Sequence, residues 1–235
     1  ILKKINEKSR RKVMKPKYNP LFEPFTFASG AKIDNRLFMA PMTTNSSFEN
    51  GMVTLEEKNY YKRRVAGLGA VVTSCAQVME NGRFAGSLSA ASDNRIESLS
   101  KLAKTIQHEG PKAILQIFHV GRLGSKRTLR GEQPVSASAI PLDSEGAEVP
   151  RALSDAEVRE LVDAFGQATR RAIQAGFDGI ELHGANNYLI QQFFSPHSNR
   201  REDHWGGSLE KRMNFPLAVV QAATEAIQTY ADTPF

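Results

Sequence analysis

The chain has 235 residues, 40% of them hydrophobic and 24% charged, which is ordinary for a globular protein of one large domain or two small ones. Its formal charge of +6 sits mainly in residues 1–13, where Lys3, Lys4, Lys8, Arg10, Arg11 and Lys12 stand against Glu7. The remainder is nearly neutral, which argues against a nucleic-acid surface. There is no run of about 18 apolar residues to span a membrane, and the single cysteine, Cys75, excludes an internal disulfide and fits a reducing cytoplasm.

Residues 1–13 lack the apolar stretch of a secretory signal and read as a disordered basic leader, with Met14-Lys15-Pro16-Lys17 as a natural start and 14–235 as the folded part. A small hairpin is expected over Phe25–Ile33, with Ser29-Gly30 at its turn. A buried strand, Arg36–Ala40, is stopped by Pro41. A capping box at Thr54 and Glu57 opens a first helix that should reach about Ala66, before Gly67. A second buried strand, Ala70–Cys75, follows.

The pattern then repeats. Asp93 is placed to cap a helix whose apolar positions Ile96, Leu99, Leu102, Ala103 and Ile106 keep a helical beat, ended by Gly110 and Pro111. Strand three is Ala113–Phe118, leading into His119. A connection of roughly thirty residues, Leu123 to Ala152, exceeds the usual loop and suggests a functional excursion or a small subdomain. Ser154 and Glu157 form a second capping box, and the third helix closes at Gly176.

Strand four carries the most chemistry. The apolar beat of Phe177, Ile180 and Leu182 stops at His183, Asn186 and Tyr188, which presents polar groups at one rim of a sheet. Buried strands alternating with amphipathic helices imply parallel strands with right-handed crossovers. An open doubly wound sheet and a (β/α)8 barrel compete. No Gly-x-Gly-x-x-Gly follows the first strand, and each strand ends in a different polar group: Thr43, Cys75, Gln116 with His119, then His183. A site built from several strand ends is the pattern of the TIM barrel, which is the fold expected here. Only about four strand–helix units are counted where a barrel has eight, so the chain reads as the first part of one.

Several linked motifs resemble the Old Yellow Enzyme family, most of all its bacterial NADH-dependent flavin oxidoreductases. They are Ala40-Pro41-Met42-Thr43, Leu115 to Arg122, His183 to Leu189, Phe194 to Arg200, and Trp205-Gly206-Gly207-Ser208-Leu209-Glu210 with Arg212. The resemblance runs from about Tyr18 to Ala226. It implies an FMN-bearing barrel that uses NADH or NADPH to reduce activated C=C bonds of small enone-like molecules. Matched to the motifs, Pro41, Met42, Thr43, Cys75, Gln116 and Arg212 would meet the flavin, Arg212 beside the ring locus where negative charge accumulates. His183 and Asn186 would anchor the substrate oxygen, Phe118 would shape the pocket, and Tyr188 would be the catalytic proton donor.

Bland readings remain beside these. Cys75 alone is a small core-edge residue, His197 and His204 do not have metal-ligand spacing, and Trp205-Gly206-Gly207 reads as a turn with an aromatic anchor. A second function class also stays open: a catalytically inactive half-barrel fragment, or an interaction module. Exposed sheet edges in such a half would favour a homo-oligomer or pairing with a missing C-terminal half.

Overall fold

The computed structural model describes residues 15–235, so the leader expected over 1–13 lies outside the described residues. The chain enters through a 3-10 turn, Pro16–Phe22, into the antiparallel hairpin of β1 (Phe25–Thr26) and β2 (Lys32–Ile33). Gly30 stands at φ +90° in its turn, a conformation that a side chain would strain.

In chain order there follow β3 (Phe38–Met39), α1 (Leu55–Lys62), β4 (Ala70–Val72), β5 (Ala76–Gln77), β6 (Leu88–Ser89), α2 (Ile96–Gln107) and β7 (Lys112–Phe118). The second half holds β8 (Val135–Ser136), β9 (Arg151–Ala152), α3 (Asp155–Gln174), β10 (Gly179–Leu182), α4 (Leu189–Phe194) and α5 (Leu209–Tyr230). No helix of the described residues is long and apolar enough to cross a membrane.

The main sheet is parallel. β3 lies beside β4, β4 and β5 run along one side of β7, and β10 pairs with its other side. Strands adjacent in sequence are therefore adjacent in space, as in a barrel and unlike a doubly wound sheet. β6 adds to the outer side of β5 at the C-terminal end. The long connection is tied at its base by parallel pairing of β8 with β9.

The expected second strand is broken in two. Val72 pairs with Ile114 and Ala76 with Ile117, so four steps on one strand span three on the other, which makes a bulge at Thr73–Cys75. The Ser74 N–H freed by the bulge donates to the buried Tyr61 hydroxyl at 2.6 Å. α1 also stops four residues early, because the chain turns after Lys62 and inserts Val65 into the core, where it is wholly buried. The Thr54 hydroxyl accepts from the Glu57 N–H, but the Glu57 carboxylate takes hydrogen bonds from Thr44 (3.1 Å) and Ser47 (2.8 Å) instead of closing the capping box.

Asp93 likewise does not cap α2. It lies in a short 3-10 turn, and its carboxylate receives Arg170 at 2.6 Å and Arg171 at 2.7 Å, both from α3. The capping box of α3 is complete: the Ser154 hydroxyl accepts from the Glu157 N–H and Glu157 accepts from the Ser154 N–H. Trp205 is the anchor expected, its indole N–H donating to Asp155 at 2.6 Å.

The core lies between sheet and helices, with Leu99, Leu102 and Ile106 of α2, Leu115 and Ile117 of β7, and Leu161 and Phe165 of α3 all at most 1% exposed. Each such side chain contributes roughly 1.5–3 kcal/mol by leaving water. Burial falls away toward β10, whose four residues are all half-buried, and Leu209, Leu217 and Val220 of α5 are exposed.

Candidate active site

The polar ends of β3, β7 and β10 converge at the C-terminal rim. Pro41, Thr43, Gln116, Glu181, His183, Asn186 and Tyr188 line a single cleft of about 480 Å³, within the size range of small-molecule sites. Neighbouring strands place them: Glu181 pairs in register with Gln116, and the two-residue period puts Glu181 and His183 on the same face of β10.

His183 is buried, and its Nδ1 accepts from the Ala185 N–H at 3.4 Å, which leaves the ring proton on Nε2. Burial lowers its pKa from the ordinary value, with Glu181 partly opposing, so the imidazole is neutral near pH 7. Asn186 and Asn187 both adopt positive φ, 55° and 60°. That turn exposes the Asn186 side chain, while Asn187 accepts from the buried Arg122 guanidinium at 3.0 Å. Asparagine is among the few residues that tolerate the left-handed region.

Tyr188 is half-buried, edge-on to His183 with ring centroids 4.7 Å apart. Burial raises the pKa of its phenol, with Cys75 adding to the effect, so the hydroxyl keeps its proton at neutral pH. Gln116 is fixed by a hydrogen bond from its Nε2 to Glu181 at 2.7 Å.

Four sequence candidates lie elsewhere. Phe118 is wholly buried and reaches the cleft only by packing edge-on to Tyr188, with centroids 5.1 Å apart. Cys75 is buried behind it; burial pushes the thiol up to about 12, against an opposing hydrogen bond with Thr43, so it is not a thiolate. Met42 is exposed and does not line the cleft. Arg212 is not brought to the cleft either: its Nε donates to the Phe194 carbonyl at 2.9 Å and its Nη1 to the Gly207 carbonyl, so it ties α5 to the end of α4. Glu181 is the residue that sequence reasoning missed, although its alternation with His183 was legible.

His119, the polar end of β7, is structural. It accepts from Gly121 at Nδ1 and bonds Asn81 through Nε2 at 3.0 Å, and burial lowers its pKa to about 3. A Cβ at Gly82 would lie 2.4 Å from its ring, so only glycine permits that stacking.

Parallel strands whose tips meet in one cleft, with neutral donors on one wall, define a barrel-type small-molecule site. Residues 20–231 match the model of the NADH:flavin oxidoreductase / NADH oxidase family. The chain belongs to that family, the Old Yellow Enzyme family. It is 48% identical over 223 residues to the probable NADH-dependent flavin oxidoreductase YqiG of Bacillus subtilis (strain 168), covering 94% of this chain and 59% of that protein. It is 46% identical over 216 residues to NADH:fumarate oxidoreductase of Klebsiella pneumoniae (strain 342), covering 92% of this chain and 23% of that one. The Old Yellow Enzyme homologue from Zymomonas mobilis superposes with a TM-score of 0.82 at 29% identity, covering 88% of this chain and 60% of that structure. The chain thus spans less than two thirds of the length of these relatives, from 23% to 60%.

The family implies FMN, and the cleft suits part of it. Gln116 and Thr43 offer hydrogen-bonding groups for the polar edge of a flavin ring, and Pro41 offers an apolar surface. No lysine or arginine lines the cleft, so the residues of this cleft fit the ring and not its phosphate.

Proposed function

We propose that this chain forms the substrate-binding and proton-donating wall of an FMN-dependent oxidoreductase that reduces activated C=C bonds of enone-like molecules. The reading is carried by one observation: His183, Asn186 and Tyr188 line the same cleft as Thr43 and Gln116. Bound FMN would supply the hydride, drawn from NADH or NADPH. Gln116 and Thr43 would hold the ring edge, with Pro41 against it. Met42, Cys75 and Phe118 would support that wall from behind or beside it.

Reduction of an enone builds negative charge on its oxygen. The neutral Nε2–H of His183 and the free carboxamide of Asn186 are donors suited to that charge, and fixed donors lower such barriers most. The Tyr188 hydroxyl, kept protonated by burial, would deliver its proton to the α-carbon. Hydride addition at the β-carbon would leave an enolate, and protonating its α-carbon from a separate arm requires a donor loaded at neutral pH, which a phenol is.

The test is anaerobic turnover of 2-cyclohexen-1-one with NADH by protein loaded with FMN. Loss of enone that slows in Tyr188→Phe and His183→Ala supports the proposal. A protein that stays colourless in excess FMN favours the second reading, a half-barrel without activity of its own, for which the absence of a basic residue in the cleft also speaks.

A further inference from the structure

A second cleft, of about 700 Å³, opens on the same rim between the loops that follow β3, β5 and β7. Arg83, Arg127 and Arg130 line it, with Glu49 as its one carboxylate. Arg83 is only 5% exposed, yet its Nε and Nη1 have no hydrogen-bond partner among the described residues. Among the described residues its guanidinium makes one bond, from Nη2 to the Glu49 backbone carbonyl at 2.5 Å. The Glu49 carboxylate itself is largely exposed and lies 3.7 Å from Arg130, not from Arg83. Nearby Glu80 is turned to Arg95 at 3.8 Å.

A buried guanidinium with a second guanidinium as neighbour is costly unless an anion completes it. Burial lowers the Arg83 pKa first and Arg130 lowers it further, with Glu80 and Glu49 opposing in part. Three guanidiniums against one carboxylate leave the cleft an excess of two positive charges, which matches a dianion better than a single carboxylate. The frame is rigid. Ser47 N–H bonds the Gly86 carbonyl at 3.2 Å, and Gly86 sits at φ +73° where a Cβ would meet the Asn45 backbone at 2.5 Å.

We propose that Arg83, Arg127 and Arg130 form a binding site for a dianionic phosphoryl group. Nothing in the redox reading requires it. Guanidinium forks match phosphoryl oxygens in geometry as well as charge. Phe84, on the cleft wall, packs on Phe118 with centroids 5.2 Å apart, and Phe118 on Tyr188 at 5.1 Å. The site is therefore two aromatic rings from the proposed proton donor. A phosphoryl group there has two possible sources: the diphosphate of a nicotinamide dinucleotide reaching from the first cleft, or a free phosphate.

The test is calorimetric titration of the whole chain with pyrophosphate at low salt, without flavin, so that failure of the redox reading leaves it intact. One-to-one binding should weaken by about tenfold or more in Arg83→Met and in the surface pair Arg127→Ala/Arg130→Ala, the loss expected for a charge-assisted contact. It should be unchanged in Lys62→Ala/Lys104→Ala, which removes two charges from a different cleft. If Arg83→Met fails to fold, the exposed pair decides. No binding by the parent chain, unchanged binding in the arginine pair, or equal loss in the lysine pair overturns the site. Displacement of pyrophosphate by NADH assigns the dinucleotide as source, and retention in excess NADH assigns the free anion; either result upholds the site.

Discussion

Gln116 and Glu181 stand side by side on adjacent parallel strands, and Gln116 Nε2 donates to the Glu181 carboxylate at 2.7 Å. That bond fixes the orientation of the Gln116 carboxamide in the cleft wall and leaves its oxygen available. It also sets a negative charge two residues from His183, on the same face of β10.

The first prediction follows from that charge. Burial depresses the His183 pKa and Glu181 partly restores it. Glu181→Gln removes the restoring charge, so the His183 pKa should fall further below the ordinary value. An NMR titration of the imidazole Hε1 reads this directly, with His119, buried and at about 3, as a resonance silent above pH 5. A rise in the His183 value, or no movement, would mean that the two side chains are not coupled as described.

Tyr188→Phe tests the proton donor. The ring keeps its edge-on packing with His183 and Phe118, so thermal stability should stay close to that of the parent. Turnover of an enone by FMN-loaded protein should drop by about 10²–10⁴, the usual share of a general acid, while oxidation of NADH by the enzyme under single-turnover conditions is spared. Equal loss in both half-reactions would assign Tyr188 a structural role instead.

Glu57 offers a pH-dependent prediction. It is wholly buried, and burial raises its pKa above 4.5 despite the hydrogen bonds from Ser47 and Thr44. A raised carboxyl favours the protonated folded state, so its contribution is full below the unfolded value and is lost as pH rises through the folded one. Glu57→Gln keeps an oxygen to accept from one hydroxyl, offers its NH2 to the oxygen of the other, and has nothing to ionise. It should melt higher than the parent at pH 8, by roughly 2–4 °C for each 1 kcal/mol at this chain size, and the gap should close toward pH 4. A gap that widens in acid would reverse the sign and sink the assignment.

What could be read in advance depended on how far along the chain each cause lay. The α3 capping box was legible because Ser154 and Glu157 bond each other's backbone within a single turn. Asp93 misled for the opposite reason: the partners that claim it, Arg170 and Arg171, lie on α3, far along the chain. The bulge at Thr73–Cys75 was hidden because it is a mismatch between two strands and leaves no mark on one of them. The cleft residues of β10 were legible from a polar cluster closing an apolar strand. Arg212 carried the right motif, but no pattern records that the carbonyls of Phe194, at the end of α4, and Gly207 would engage its guanidinium.

The last prediction concerns how the flavin would be held. Among the cleft residues there are groups for a ring edge, yet no lysine or arginine for a phosphate. A phosphate paired with arginine adds charge-assisted bonds of roughly 1.5–3 kcal/mol each, so a protein that grips FMN by its tail discriminates strongly against riboflavin. This chain should not. Fluorescence-quenching titrations should give FMN and riboflavin affinities within about threefold of each other, both weak, since ring contacts alone distinguish nothing between them. FMN binding far tighter than riboflavin would show that a basic group reaches the tail. If that preference then vanished in Arg127→Ala/Arg130→Ala, the second cleft would be the seat of the flavin phosphate, and the dinucleotide would lose its claim to it.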